Sequence, residues 1–274
     1  MTTALAIGLT LATTQVTDIR LYSGQPAEPN GYVLSAWGGG TITDSNEVVE
    51  TSARSLKITT STFAQGGVMK LPRAVNLASE AKNPENMLGV HVYVVGETSQ
   101  PSGDRTKRME NMRIVIRTSD GKLSEAVLNF YSPSGFTNRW RRAGIPLQKI
   151  PGFMRTNQEV EAIMFAGDAP ATFYVSEVRI VTDQTPIQGT LSHRDINVGF
   201  GQELALYALA EAGYTQLEYS WDFNDKDGIQ EDASGQVVFH KFRIPGEFNI
   251  TCTIRDKYGL KQPWVGKIAV TVNP

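Results

Sequence analysis

Cysteine is almost absent: Cys252 is the only one in 274 residues. No intrachain disulfide can form, which excludes a small disulfide-stapled scaffold. An excess of one charge is missing as well. Lys and Arg number 26 against 28 Asp and Glu, for a formal net charge of −2. That balance lacks the basic footprint of a nucleic-acid or anionic-membrane binder. No apolar run approaches the roughly 20 residues of a membrane-spanning helix. Histidines number three, His91, His193 and His240, and none falls in a metal-ligand spacing such as His-Glu-x-x-His. There is no Gly-x-Ser-x-Gly elbow and no glycine-rich phosphate loop ending in Lys-Ser/Thr. A carboxylate pair across a cleft is the remaining hydrolytic option. The chain is short for a catalytic barrel beside a second domain, so no enzymatic activity is expected.

What is present is a β texture. Hydrophobic residues make up 41%, and 25 glycines and 13 prolines punctuate short apolar runs. Leu56 and Ile58 alternate with Lys57 and Thr59. Val90, Val92 and Val94 alternate with His91 and Tyr93, and Met112, Ile114 and Ile116 with Arg113, Val115 and Arg117. A period of two sends one set of side chains to a core and the other to water. Asp120-Gly121 marks a hairpin turn, and a closing strand is expected over 171–181. Glu203 to Glu211 is rich in helix formers, yet in a sandwich it reads as a strand with Leu204, Leu206 and Ala208 inward.

The polar stretch 183–189 divides the chain. We expect an all-β domain over 16–182, a linker, and a second all-β domain over 190–274. Residues 1–15 fit either an export-signal core, Ala4 to Ala12, or an ordinary first strand.

The end of the chain carries a dense motif. Trp221-Asp222-Phe223 is followed by a turn-rich insert, Asn224-Asp225-Lys226-Asp227-Gly228. Then come His240, Phe242, Pro245-Gly246, Phe248, alternating Ile250, Cys252 and Ile254, and Asp256 to Gly259. This order and spacing resemble the PKD domain, an immunoglobulin-like β-sandwich, with the insert replacing that family's Gly-Asp-Gly turn. The resemblance implies an extracellular, non-catalytic module, a spacer or docking unit, secreted or at the cell surface.

Three landmarks in the first part resemble a galactose-binding-like jelly roll of the carbohydrate-binding-module kind. They are Arg54 to Thr59 with Gly66-Gly67-Val68, Trp140 ahead of Ile145-Pro146-Leu147, and Thr172 to Ile180. Ser176-Glu177 stands where such domains often carry an acidic pair. This resemblance implies that the jelly roll binds a polysaccharide or other surface polymer.

Sugar sites combine aromatic faces with fixed polar groups. Strand parity displays Arg113, Arg117, Asn129 and Tyr131 on one face, and loops add Trp37 and Trp140. These six are the candidate ligand-binding residues, although Trp140 also suits a packing role. The acidic residues Asp222, Asp225 and Asp227 suit either a weak Ca²⁺ site or a solvated turn. Self-association into a filament, sheath or surface layer is the alternative to glycan binding.

Overall fold

The computed structural model describes residues 16–95, 109–129, 139–228 and 230–274, and all that follows concerns these. The first unit comprises β1 (Asp18–Tyr22), β2 (Val33–Trp37), β3 (Thr41–Ser45), β4 (Ser55–Thr60), β5 (Gly66–Asn76) and β6 (Asn86–Val94). It continues with β7 (Asn111–Thr118), β8 (Leu123–Asn129), β9 (Trp140–Pro146), β10 (Glu159–Gly167) and β11 (Ala171–Thr182). One sheet has the order β3-β4-β11-β6-β9, with β1 also paired to β11; the other runs β2-β5-β10-β7-β8.

The alternating residues meet between these sheets. Ile58, Val90, Val92, Met112, Ile114, Ile116, Ile163 and Phe173 are all buried in one cluster. Removing such a side chain from water contributes about 1.5–3 kcal/mol. The asparagine-free turn at Asp120-Gly121 joins β7 to β8 in antiparallel register, with Arg117 opposite Leu123. Ala126 and Leu128 point inward as parity requires.

The second unit comprises β12 (Gln188–Leu191), β13 (Asp195–Gly199), β14 (Glu203–Glu211) and β15 (Leu217–Asp222). It ends with β16 (Ala233–Ser234), β17 (Val237–Lys241), β18 (Gly246–Asp256) and β19 (Trp264–Asn273). A three-stranded sheet, β12-β14-β17, faces a five-stranded one, β13-β19-β18-β15-β16. The helix-prone segment is therefore strand β14, with Leu206 and Ala208 buried. Trp221, Ile250, Cys252, Ile254 and Ile268 fill this second core.

The two units are joined by specific contacts. The stretch expected to be a linker is pinned at its first residue. Lys261 donates to the Asp183 carboxylate at 2.7 Å, and Tyr214 N–H donates to the same oxygen at 2.8 Å. Ile187 already belongs to the second core, and Gln188 already pairs with Glu211. Tyr214 lies against Gly89 of β6 and Gly144 of β9. A Cβ on Gly89 would come within 2.6 Å of the Tyr214 ring, and one on Gly144 within 3.0 Å of the Tyr214 side chain. These two glycines make the notch that receives the tyrosine.

Candidate functional site

The outer face of β2-β5-β10-β7-β8 collects most of the expected residues. Strand register defines a row across it: Trp37 opposite Gly66, Gly66 opposite Ala166, Ala166 opposite Arg113, and Arg113 opposite Val127. Gly66 and Ala166 have almost no side chain, so the two large groups meet above them. The Arg113 guanidinium lies 5.1 Å from the centre of the Trp37 ring, a cation–π distance. A Cβ on Gly40 would strike the Gly66 backbone at 2.1 Å. The three-glycine turn after Trp37 thus lets the chain pass tightly from one sheet to the other.

Arg113 is fixed from two further sides. Its Nη1 donates to Phe63 O at 2.7 Å, and its Nε donates to Glu125 Oε2 at 3.0 Å. The next row carries Ser35, Val68, Met164, Val115 and Glu125. The row beyond has Val33, Lys70, Ala162, Arg117 and Leu123. Arg117 pairs with Glu161 at 2.6 Å, reached through a bulge between Val160 and Ala162. Asn129 donates to Asn111 Oδ1 at 2.8 Å. Trp37, Arg113, Arg117 and Asn129 therefore share one face: an aromatic ring beside immobilised polar groups, with small residues between.

Trp140 does not join them. It lies on β9, in the opposite sheet, with its ring 5.6 Å from Tyr93 and its Nε1 donating to Val49 O at 3.3 Å. The cause is strand order: β9 pairs with β6, not with β8. Tyr131 lies outside the described residues.

The acidic loop does local work. Asp222 Oδ1 accepts from Asn224 N–H at 2.9 Å, and Asp225 Oδ2 accepts from Asn249 at 3.1 Å. Among the described residues no group of three or more His, Cys, Asp or Glu is placed to hold a metal ion.

His91 differs from expectation. The alternation along β6 sends His91 away from the apolar core, yet its exposure is 6%. Its Nδ1 is 2.7 Å from Glu50 Oε2, and its Nε2 is 2.7 Å from the Tyr214 hydroxyl. Burial raises the Tyr214 pKa above its usual value, so the phenol stays protonated. A bulge in β11 between Val175 and Glu177 sets Glu177 opposite His91; bulges commonly re-aim side chains in this way. The spacing of Phe173, Val175, Val178 and Ile180 signals it, because the inward parity shifts by one residue at Ser176.

The second unit shows its motif in three dimensions. Trp221 is buried and its indole donates to Gly235 O at 2.9 Å. His240 stacks on Phe223 at 4.0 Å and meets Phe242 edge-on at 4.6 Å. Asp256 accepts from Tyr258 N–H at 3.1 Å and Leu260 N–H at 2.6 Å, closing the last turn. Residues 184–272 match the PKD domain family. In this PKD domain the Asn224 to Gly228 insert, set where a Gly-Asp-Gly turn was expected, follows the end of β15 and is tied back to it by Asn224 N–H donating to Asp222.

Among curated proteins none matches the chain. Solved structures with likeness include a carbohydrate-binding module of the β-sandwich superfamily studied for promiscuous specificity. It is 14% identical with a TM-score of 0.35, over 58% of this chain and 60% of that one. The enzymatically active domain of tailspike protein 4 from bacteriophage CBA120 is 13% identical with a TM-score of 0.32, over 60% of this chain and 21% of that one. The N-terminal four Ig domains of Dscam1 isoform 4.44 are 11% identical with a TM-score of 0.30, over 89% of this chain and 67% of that one. This chain thus spans less than two thirds of the length of the first two. Among the described residues no helix is long and apolar enough to cross a membrane.

Proposed function

We propose that the chain is a non-catalytic extracellular binding protein that recognises a polysaccharide or another surface polymer. The jelly-roll face supplies the ligand contacts, and the PKD domain holds that face away from its attachment point. The observation that carries this reading is the row Trp37, Gly66, Ala166, Arg113. It sets an indole beside a cation held by Phe63 O and Glu125, over a floor without side-chain bulk. A pyranose ring needs such an apolar plate with fixed hydrogen-bonding groups at its margin. Arg113 takes one side of the indole, so the sugar stacks on the other.

Affinity electrophoresis through a panel of immobilised polysaccharides tests it. The chain should be retarded by at least one neutral or acidic polymer. Trp37→Ala should abolish retardation while leaving the far-ultraviolet circular dichroism unchanged. Retardation by no polymer, or equal retardation of the variant, counts against the reading.

A second reading has its own support. Tyr207, Leu209 and Phe239 stand exposed on the outer face of β14 and β17, Phe239 at 65%. Adjacent exposed apolar groups favour self-association, as in a filament or sheath subunit. Sedimentation velocity separates the readings: a polymerising chain that tolerates Trp37→Ala but is dispersed by Phe239→Lys fits the second.

A further inference from the structure

A cavity of about 260 Å³ opens on the other sheet of the jelly roll, beside the junction with the PKD domain. Register builds it. Arg142 lies opposite His91, and His91 opposite Glu177, in one row; Gly144, Gly89, Arg179 and Arg20 follow one another in the next. The carboxylates are already engaged. Glu50 Oε2 accepts from Ser176 at 2.8 Å and lies 2.7 Å from His91 Nδ1. Glu177 lies 3.4 Å from Arg179 and 3.3 Å from His91, and Arg179 is also bound to Asp18 at 3.0 Å.

The guanidiniums at the rim are less engaged. Arg20 is 3.9 Å from Glu177, and its side chain is 60% exposed. Arg142 has no carboxylate partner among the described residues; its one described contact is the Tyr214 ring, at 6.0 Å. The mouth therefore offers cationic donors, while both oxygens of Glu177 and Oε2 of Glu50 are occupied. Such forks recognise carboxylates by paired hydrogen bonds. Ser23, Thr51 and Ser52 line the same cavity; Ser23 already donates to Gln25 and Ser52 to Arg54 O, so these two hydroxyl oxygens are left to accept from the hydroxyls of a ligand. The volume lies just below the roughly 300–1,000 Å³ of drug-sized sites, so it holds about one sugar ring.

We propose that this cavity binds the carboxylate-bearing ring of a uronate, with Arg142 and Arg20 on the carboxylate and the serine and threonine hydroxyls on the ring. The site is on a different sheet from Trp37 and does not depend on that face binding anything.

Isothermal titration calorimetry of the full chain with glucuronate is the test, with glucose, acetate and inorganic phosphate as comparison titrants. Glucuronate should bind at one site, and the other three at least about tenfold more weakly. Losing one charge-assisted pair should cost about tenfold or more in affinity, so Arg142→Gln and Arg20→Gln should each show that loss. Arg20 is the more exposed of the pair and makes no contact with Tyr214, so Arg20→Gln reports on the ligand even if Arg142→Gln disturbs the junction. No binding of glucuronate overturns the proposal. So does equal binding of acetate or phosphate, and so does unchanged affinity in both arginine variants.

Discussion

Replacing Lys261 with methionine keeps an unbranched chain of similar length and deletes one charge. The Lys261 ammonium is 6% exposed and donates to Asp183 at 2.7 Å, Thr185 O at 2.9 Å and Ala212 O at 2.5 Å. The Asp183 side chain is 2% exposed. After substitution its carboxylate keeps only the N–H groups of Tyr214, at 2.8 Å, and Thr185, at 3.2 Å. Removing one member of a buried ion pair typically costs about 3–5 kcal/mol. The two surviving N–H donors place Lys261→Met at the lower end, about 3 kcal/mol. A unit of this size shifts by roughly 4–8 °C per kcal/mol, so the PKD transition should fall by about 12–24 °C in differential scanning calorimetry. The double variant Lys261→Met with Asp183→Asn removes both charges and should recover at least half of the loss. A drop below about 1 kcal/mol in the single variant, or no recovery in the double, would refute the view that this pair pins the junction.

Three other outcomes are expected. Tyr214→Phe removes a hydroxyl that meets His91 at 2.7 Å and Arg179 at 3.5 Å, and should destabilise the junction by about 1–3 kcal/mol, read as faster proteolysis near residue 183 with both cores intact. Cys252 is buried, and its thiol pKa is pushed from 9.0 to about 12 by desolvation; iodoacetamide at pH 8 should label it only after unfolding, and its contribution to stability should be full below pH 9 and lost as pH rises toward 12. Burial lowers the His240 pKa below 6.5, so its neutral form stabilises the PKD domain above that pH and the benefit is lost as acid passes through the lowered value; the acid-side fall in melting temperature should be shallower in His240→Phe.

Parity made the strands legible. Met112, Ile114 and Ile116 point inward because two-residue alternation is a direct imprint of the pleat. The Trp221 to Gly259 motif was readable from its fixed order and spacing, although its contacts reach across the domain, as where Trp221 lies opposite Cys252. Strand order was not readable. Trp37 and Arg113 meet because β5 and β10 lie between β2 and β7, whereas Trp140 goes to the other sheet, and nothing in the spacing of these residues encodes that difference. The junction was equally hidden. Tyr214 follows Gly213 in a short turn without periodicity, and its partner His91 is 123 residues away. Only the parity break at Ser176 left a mark in the chain, and it marks the rim of the charged cavity.

The PKD domain's final strand has one further consequence. β19 is hydrogen-bonded on both sides, antiparallel to β18 and parallel to β13 from Asp195 opposite Ala269 to Gly199 opposite Asn273. Tension applied between the start of β13 and the end of β19 slides two strands lengthwise past each other. The five paired positions must then yield together rather than peel apart in turn. The geometry therefore favours resistance to stretching along that axis over peeling from the sheet edge.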